Sequence, residues 1–213
     1  MNPDPAYQIV PMTQEHVEAV AQTHYGELPT SILSRLGYLF LKDFYYKNLI
    51  HLKYFRGFVL EYENRVAGFI SISFNPNLIF SELFARDPLG LVWTQTRSIL
   101  SDPRVIRACF QAADFFLNPK AEPIAKGTSE VLSFAIAEPF RSLEFYKSTH
   151  LNLADELFQH GISHLKELGV KKVYLNVEKK NFFGRAFFSN IGMDEKETFE
   201  HLGLNSIRCE IEF

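Results

Sequence analysis

Apolar and polar residues alternate along this chain with two different periods. In "VKKVYLNV" (170 to 177), Val173, Leu175 and Val177 stand two apart, the spacing of a strand with one buried face. Just before it, "LNLADELFQHGISHLKELG" (151 to 169) follows the helical period. Leu153, Ala154, Leu157, Phe158, Ile162, Leu165 and Leu168 share one half of the helical wheel, and Asp155, Glu156, Gln159, Ser163, Lys166 and Glu167 share the other. Gly169 stands where a left-handed cap would end that helix.

The same two periods organise the rest. "YQIVPMT" (7 to 13) predicts a first strand, with Thr13 capping the helix "QEHVEAVAQTHYG" and Glu15 in its first turn. Thr30 or Ser31 caps a second helix, with apolar residues at 32, 33, 36, 39, 40, 41 and 44. Residues 54 to 76 predict a strand, a turn at "ENR" and a second strand, rich in β-branched residues. From about 80 to 117 the pattern predicts two or three short helices, broken by Asp-Pro at 87–88 and 102–103. Residues 118 to 127 predict a loop. "SEVLSFAIAEP" (129 to 139) gives the strongest strand, and the last eighteen residues predict a hairpin around Gly203 to Ser206. The near-continuous apolar "NFFGRAFFSNIGM" (181 to 193) predicts a buried helix, capped by Asn181 at its start and by a left-handed Gly192 at its end.

The order is strand, two helices, a two-strand meander, a helical insert, strand, helix, strand, helix, hairpin. It predicts an α/β (α+β) mixed sheet in a single domain over residues 1 to 213, with the insert at about 80 to 117.

Composition narrows the function. With 46% hydrophobic and 22% charged residues the chain is an ordinary globular one. A net charge of -3, with 22 scattered Lys and Arg, argues against a nucleic-acid binder. Cys109 and Cys209 form no CxxC or zinc spacing and suit a reducing compartment. The first ten residues, "MNPDPAYQIV", do not read as a signal peptide, and no run of about 18 apolar residues suggests a membrane span. The expectation is a cytoplasmic protein without a metal. His160 and His164 have a metal-like i,i+4 spacing, but no third ligand stands near them in sequence.

Three segments, "SFAIAEPFR", "LADELFQHGISHLKELGVKKVYLNV" and "NFFGRAFFSNIGM", taken in order, resemble the GNAT superfamily of N-acetyltransferases. Asn181, Gly184, Phe188, Gly192 and Met193 stand at the spacings of that family's Asn-x-x-Ala, aromatic and Gly-Phe positions, Gly184 and Met193 departing in residue type. "THYGELPTSILSRLGYLFLKDFYY" resembles a subgroup that carries a helical insert before the central strand.

The resemblance implies an acyl-CoA-dependent N-acyltransferase that moves acetyl from acetyl-CoA to a primary amine on a small molecule, peptide or sugar. It implies that the backbone of Phe134, Ala135 and Ile136 binds the pantetheine arm and polarises the thioester carbonyl. Thr149, His150, Leu151, Asn152, Leu153 and Ala154 align with the pyrophosphate loop; Thr149 replaces the family's Arg or Gln, and Asn152 replaces a glycine. "SLEFYKS" (142 to 148) is extra length there, and Arg141 and Lys147 are either phosphate partners or solvated surface. Asn181 is an N-cap, a pantetheine contact, or both.

At Phe188 many family members carry a Tyr that protonates the departing thiolate; Phe188 has no hydroxyl, so Tyr146 is the substitute candidate if its loop folds inward. His24 and Glu27, in the turn that borders the family's acceptor pocket, are the candidate bases; as plain residues they are a helix end and a solvated carboxylate. The insert, with Phe84, Leu91 and Trp93, is expected to cover that pocket, although core packing explains its aromatics equally well. The last hairpin could build a homodimer. Two rivals stand beside this reading. One is a non-catalytic acyl-CoA-binding or regulatory module on the same fold. The other is an interaction protein whose insert presents an exposed apolar patch to a partner or membrane.

Overall fold

The computed structural model describes residues 7–117, 125, 127–201 and 204–213. Seven strands form one sheet: β1 (Tyr7–Pro11), β2 (Phe55–Tyr62), β3 (Arg65–Ser73), β4 (Thr128–Ile136), β5 (Lys172–Glu178), β6 (Asp194–His201) and β7 (Leu204–Glu212). Their order across the sheet is β1-β2-β3-β4-β5-β7-β6, antiparallel except for the central pair β4–β5. That parallel pair needs a crossover, and the long predicted helix supplies it. Tyr62 pairs with Arg65, so the β2–β3 turn holds two residues, Glu63 and Asn64, both at positive φ as such a hairpin requires.

Helices cover both faces. On one face lie a 3-10 turn (Gln14–His16), α1 (Val17–Glu27), α2 (Ile32–Arg35), a π-helix (Phe40–Tyr46) and α3 (Lys47–Leu49). Val20, Phe44, Tyr45 and Tyr46 of this layer share a core with Val59, Phe69 and Ala135 of the sheet. The insert consists of α4 (Ile79–Arg86), α5 (Pro88–Ser101) and α6 (Val105–Leu117), of which Ile79, Leu83, Ala108 and Ala112 join the same core. After β4 come the short α7 (Glu138–Arg141) and α8 (Leu143–Thr149), then α9 (Leu153–Glu167); α10 (Phe182–Asn190) follows β5. Leu157, Phe158 and Leu165 of α9 pack on Leu60, Ile70, Val131 and Leu175 of the opposite sheet face. Apart from the bulges at Leu60/Glu61 and Ser71/Ile72, successive residues of β2 to β5 therefore serve two cores, one per face.

Most sequence-predicted boundaries hold. The insert breaks at both Asp-Pro pairs, with Asp87 capping α5 through Gly90 N–H at 2.8 Å. Gly169 and Gly192 sit at φ +75 and +91 after their helices. Three expectations are corrected. The second helix is not continuous: Gly37 at φ +102 ends α2, and the chain restarts as the π-helix. That wider turn carries Phe40, Leu41, Phe44, Tyr45 and Tyr46 into the core together.

The segment 181 to 193 is not buried all round. Phe182 and Phe183 are 71% and 92% exposed, and among its phenylalanines Phe188 alone is buried. Ser206 belongs to a strand of the last hairpin, since β7 begins at Leu204; Gly203 and the expected loop positions 118 to 124 and 126 lie outside the described residues.

Candidate active site

Strands β4 and β5 pair at Thr128–Lys172, Ser129–Val173 and Glu130–Tyr174, and then part. On its other side β4 stays bonded to β3 as far as Ile136, with a bulge that places Leu132 outside the register. The backbone groups of β4 that point away from β3 after Glu130 therefore face an opening in the middle of the sheet, where strand β5 no longer satisfies them. Phe134, Ala135 and Ile136, the positions expected to bind pantetheine, all lie on this stretch.

At the vertex of the opening stands Glu130. Its carboxylate accepts the Tyr174 hydroxyl at 3.0 Å and the Asn176 side-chain N–H at 3.3 Å. Burial pushes this carboxyl up to about 7, against the opposing pull of the Tyr174 hydrogen bond and the Arg208 charge. The Arg208 guanidinium lies 4.9 Å from the Tyr174 ring centre and pairs with Glu197 at 2.7 Å. Two buried polar atoms of this cluster have no partner among the described residues: the Tyr45 hydroxyl, which feels the Glu130 charge, and Arg208 Nε. Sequence reasoning passed over Glu130. The signal was there, because a carboxylate inside the strongest predicted strand is out of place unless it has a task.

The predicted bases are placed differently. His24 is fully buried. Its Nδ1 meets the Tyr46 hydroxyl at 2.6 Å and its Nε2 the Ser31 hydroxyl at 3.0 Å, while its ring stacks on Phe69. Desolvation lowers its pKa to about 3, so it is a neutral imidazole. Ser71 and Ser133 lie beside the Tyr46 hydroxyl, so His24 ends a buried polar chain that reaches β4. Glu27 accepts the Glu138 backbone N–H at 2.9 Å and pairs with Arg141 at 2.7 Å. The structure thus brings together two residues that the sequence had given to separate sites. This pair ties the end of α1 to the loop after β4.

In that loop the extra length folds as α8. Tyr146 is half exposed on it, and its ring faces His150. His150 adopts the left-handed conformation at φ +58, Thr149 Oγ1 accepts Leu151 N–H at 3.2 Å, and Asn152 Oδ1 accepts Asp155 N–H at 3.4 Å. The N–H groups of Leu153 and Ala154, in the first turn of α9, have no acceptor within the helix. A helix N-terminus of this kind suits an anion, but Asp155 and Glu156 already place two carboxylates there.

At α10, Asn181 Oδ1 caps Gly184 N–H at 2.9 Å, and a Cβ at position 184 would stand 2.7 Å from Asn181 Nδ2. The family's alanine would displace this cap, so Gly184 and Asn181 are matched to each other. Phe188 packs against Phe134, Phe158 and Phe187, at 6.3, 5.6 and 5.3 Å between ring centres. None of these rings carries a hydroxyl.

Trp93 is largely exposed on α5 with Leu89, Val92 and Leu100, whereas Phe84 and Leu91 pack against the first core. His160 and His164 hold their rings edge-on to Phe58, and no group of three metal-ligating side chains occurs among the described residues. No described helix is long and apolar enough to cross a membrane.

No family model and no curated protein matches the sequence. Solved structures do match its shape. The ribosomal-protein-alanine N-acetyltransferase from Brucella melitensis is 15% identical with a TM-score of 0.60, over 97% of this chain and 99% of that one. The PaiA N-acetyltransferase from Thermoplasma acidophilum, solved in complex with coenzyme A, is 11% identical with a TM-score of 0.58, over 98% and 100%. The spermidine/spermine N-acetyltransferase SpeG from Vibrio cholerae is 12% identical with a TM-score of 0.55, over 97% and 94%. The fold of this chain is therefore that of the GNAT N-acetyltransferases.

Proposed function

We propose that this chain, built on the GNAT fold, is an acyl-CoA-dependent N-acyltransferase that moves acetyl from acetyl-CoA to a primary amine. The observation that carries the proposal is the parting of β4 and β5 directly after the Glu130–Tyr174 pair, with a carboxyl of pKa about 7 at its vertex.

The opening fits an extended amide-containing arm, whose groups would pair with those backbone groups of Phe134, Ala135 and Ile136 that β3 leaves free. The same backbone N–H groups would polarise a thioester carbonyl. At the phosphate end the fit is poorer: Leu153 and Ala154 offer N–H groups, but the first turn of α9 already holds Asp155 and Glu156. When bound, acetyl-CoA supplies an activated acyl group. The chain supplies the rest. Glu130, half ionised near neutral pH, takes a proton from the attacking amine. Tyr174 and Asn176 hold its carboxylate in place. Phe188, Phe187 and Phe134 keep water from one side of the opening. In this reading the thiolate leaves without a dedicated acid in place of the tyrosine at Phe188, because a thiol, with a pKa of about 8.5 in cysteine, is a far better leaving group than the amine it competes with.

The alternative, a binding module without turnover, draws support from the two carboxylates at α9 and from Phe188. One assay separates the two. Purified protein is incubated with acetyl-CoA and a panel of polyamines, amino sugars and peptides, and each amine is weighed by mass spectrometry. A mass gain of one acetyl group on any amine, lost in E130Q by about 10²-fold or more, supports transfer. Binding of acetyl-CoA with no acetylated product supports the module.

A further inference from the structure

A cleft of about 760 Å³ opens between the α1–α2 turn and the insert. Its described lining comes from the first helical layer and from α5 and α6, and includes no residue of β4, β5, α9 or α10, so it is separate from the Glu130 opening. Its charges are one-sided. Arg35, Arg104 and Arg107 line it against a single carboxylate, Asp102. Asp102 is already engaged, since both its oxygens accept from Arg104 at 2.9 to 3.1 Å. Two cations then remain. Arg35 is half-buried, and among the described residues its partner is the neutral side-chain oxygen of Gln111. Arg107 has no ion pair among the described residues and is exposed. A guanidinium drawn out of water against a neutral acceptor is poorly compensated, and a carboxylate or phosphate restores the balance.

A second observation points the same way. Ser98 lines the cleft and is 3% exposed, yet its hydroxyl has no hydrogen-bond partner among the described residues. Gly37 packs against it: a Cβ there would stand 3.1 Å from Ser98 Oγ. Beside these groups, Tyr25 and Tyr38 meet edge to face at 6.0 Å and form an aromatic wall.

We infer that this cleft binds a small organic anion, a carboxylate or phosphate ester carrying an apolar ring. Arg35 and Arg107 hold the charge, the Ser98 hydroxyl completes the hydrogen bonding, and the ring lies against Tyr25 and Tyr38. The inference stands whether or not the chain transfers acyl groups.

Isothermal titration of the full chain at fixed ionic strength tests it, with phenyl phosphate, benzoate, inorganic phosphate and benzylammonium as probes. The expected result is saturable binding of one phenyl phosphate or benzoate per chain, weakened about tenfold or more in R107A and in S98A, with no binding of benzylammonium. Whichever ring-bearing anion binds more tightly names the headgroup. Both variants lie outside the two cores, and unchanged thermal midpoints would confirm that they fold. No saturable binding of either ring-bearing anion at about 10 mM would overturn the inference. So would wild-type affinity in both variants, or inorganic phosphate binding as tightly as phenyl phosphate.

Discussion

His24 is fully buried and Glu130 half-buried, and their environments push these titratable groups in opposite ways. Burial raises the Glu130 carboxyl to about 7, so the folded chain binds a proton there that the unfolded chain releases near 4.5. Stability held by the neutral acid is present at low pH and is lost as pH rises from about 4.5 through 7. E130Q is therefore expected to raise the thermal midpoint at pH 8 and to leave it nearly unchanged at pH 4.5. A stabilised but inactive variant is what a group kept for chemistry rather than for folding would give. His24 has the reverse sign. Its folded pKa lies near 3, well below the ordinary 6.5, so the unfolded state binds more protons across that interval. Stability is present above about 6.5 and falls as pH drops through 6 towards 3. H24Q keeps a polar group near Tyr46 and removes the titration. Its unfolding free energy is expected to vary less with pH between 6 and 4 than that of the wild type, as urea titrations at each pH would show. Glu130 left one mark in the sequence, a carboxylate inside the strongest predicted strand, whereas the place of His24 was harder to read. His24 stood out beside the turn, but its partners Ser31 and Tyr46 come from two other elements.

At the scale of elements, the second helix shows what periodicity leaves out. Apolar residues at 32, 33, 36, 39, 40, 41 and 44 fit one continuous helix, yet Gly37 breaks it. A positive φ at one glycine does not change the hydrophobic pattern, so the break was not legible. G37A should cost roughly 1–2 kcal/mol for the left-handed backbone, and more from the approach to Ser98 Oγ, visible as a lower urea midpoint. The opposite lesson comes from the insert, whose Asp-Pro pairs set three helices where the sequence expects two or three. The loop after β4 lies between these cases. Its extra length was legible. Its folding into α7 and α8, and the anchoring of Arg141 by Glu27, depended on a residue 114 positions away. With Arg141 exposed and Glu27 half-buried, the pair contributes about 1 kcal/mol, so R141A should lower the unfolding midpoint only slightly.

For the molecule as a whole, the order of elements was enough to give the mixed sheet, because strand and helix periods switch cleanly and the parallel crossover leaves few topologies. The candidate site was less legible for a physical reason. It is made by strands parting, and by side chains meeting across them, as Glu130 meets Tyr174 over 44 positions. Neither event leaves a local mark. α5 also turns Leu89, Val92, Trp93 and Leu100 outward, the exposed apolar surface that the docking alternative expects of the insert. Acyl transfer centred on Glu130 remains the reading that uses the opening, the raised carboxyl and the unpartnered polar atoms together. Its most direct test is the pH profile of amine-dependent thiol release from acetyl-CoA, for wild type and E130Q. The account predicts a wild-type rate that rises through about pH 7 and then levels, with no such rise in an E130Q protein that still binds acetyl-CoA. Amine-dependent release of equal rate and pH profile in both proteins would contradict it.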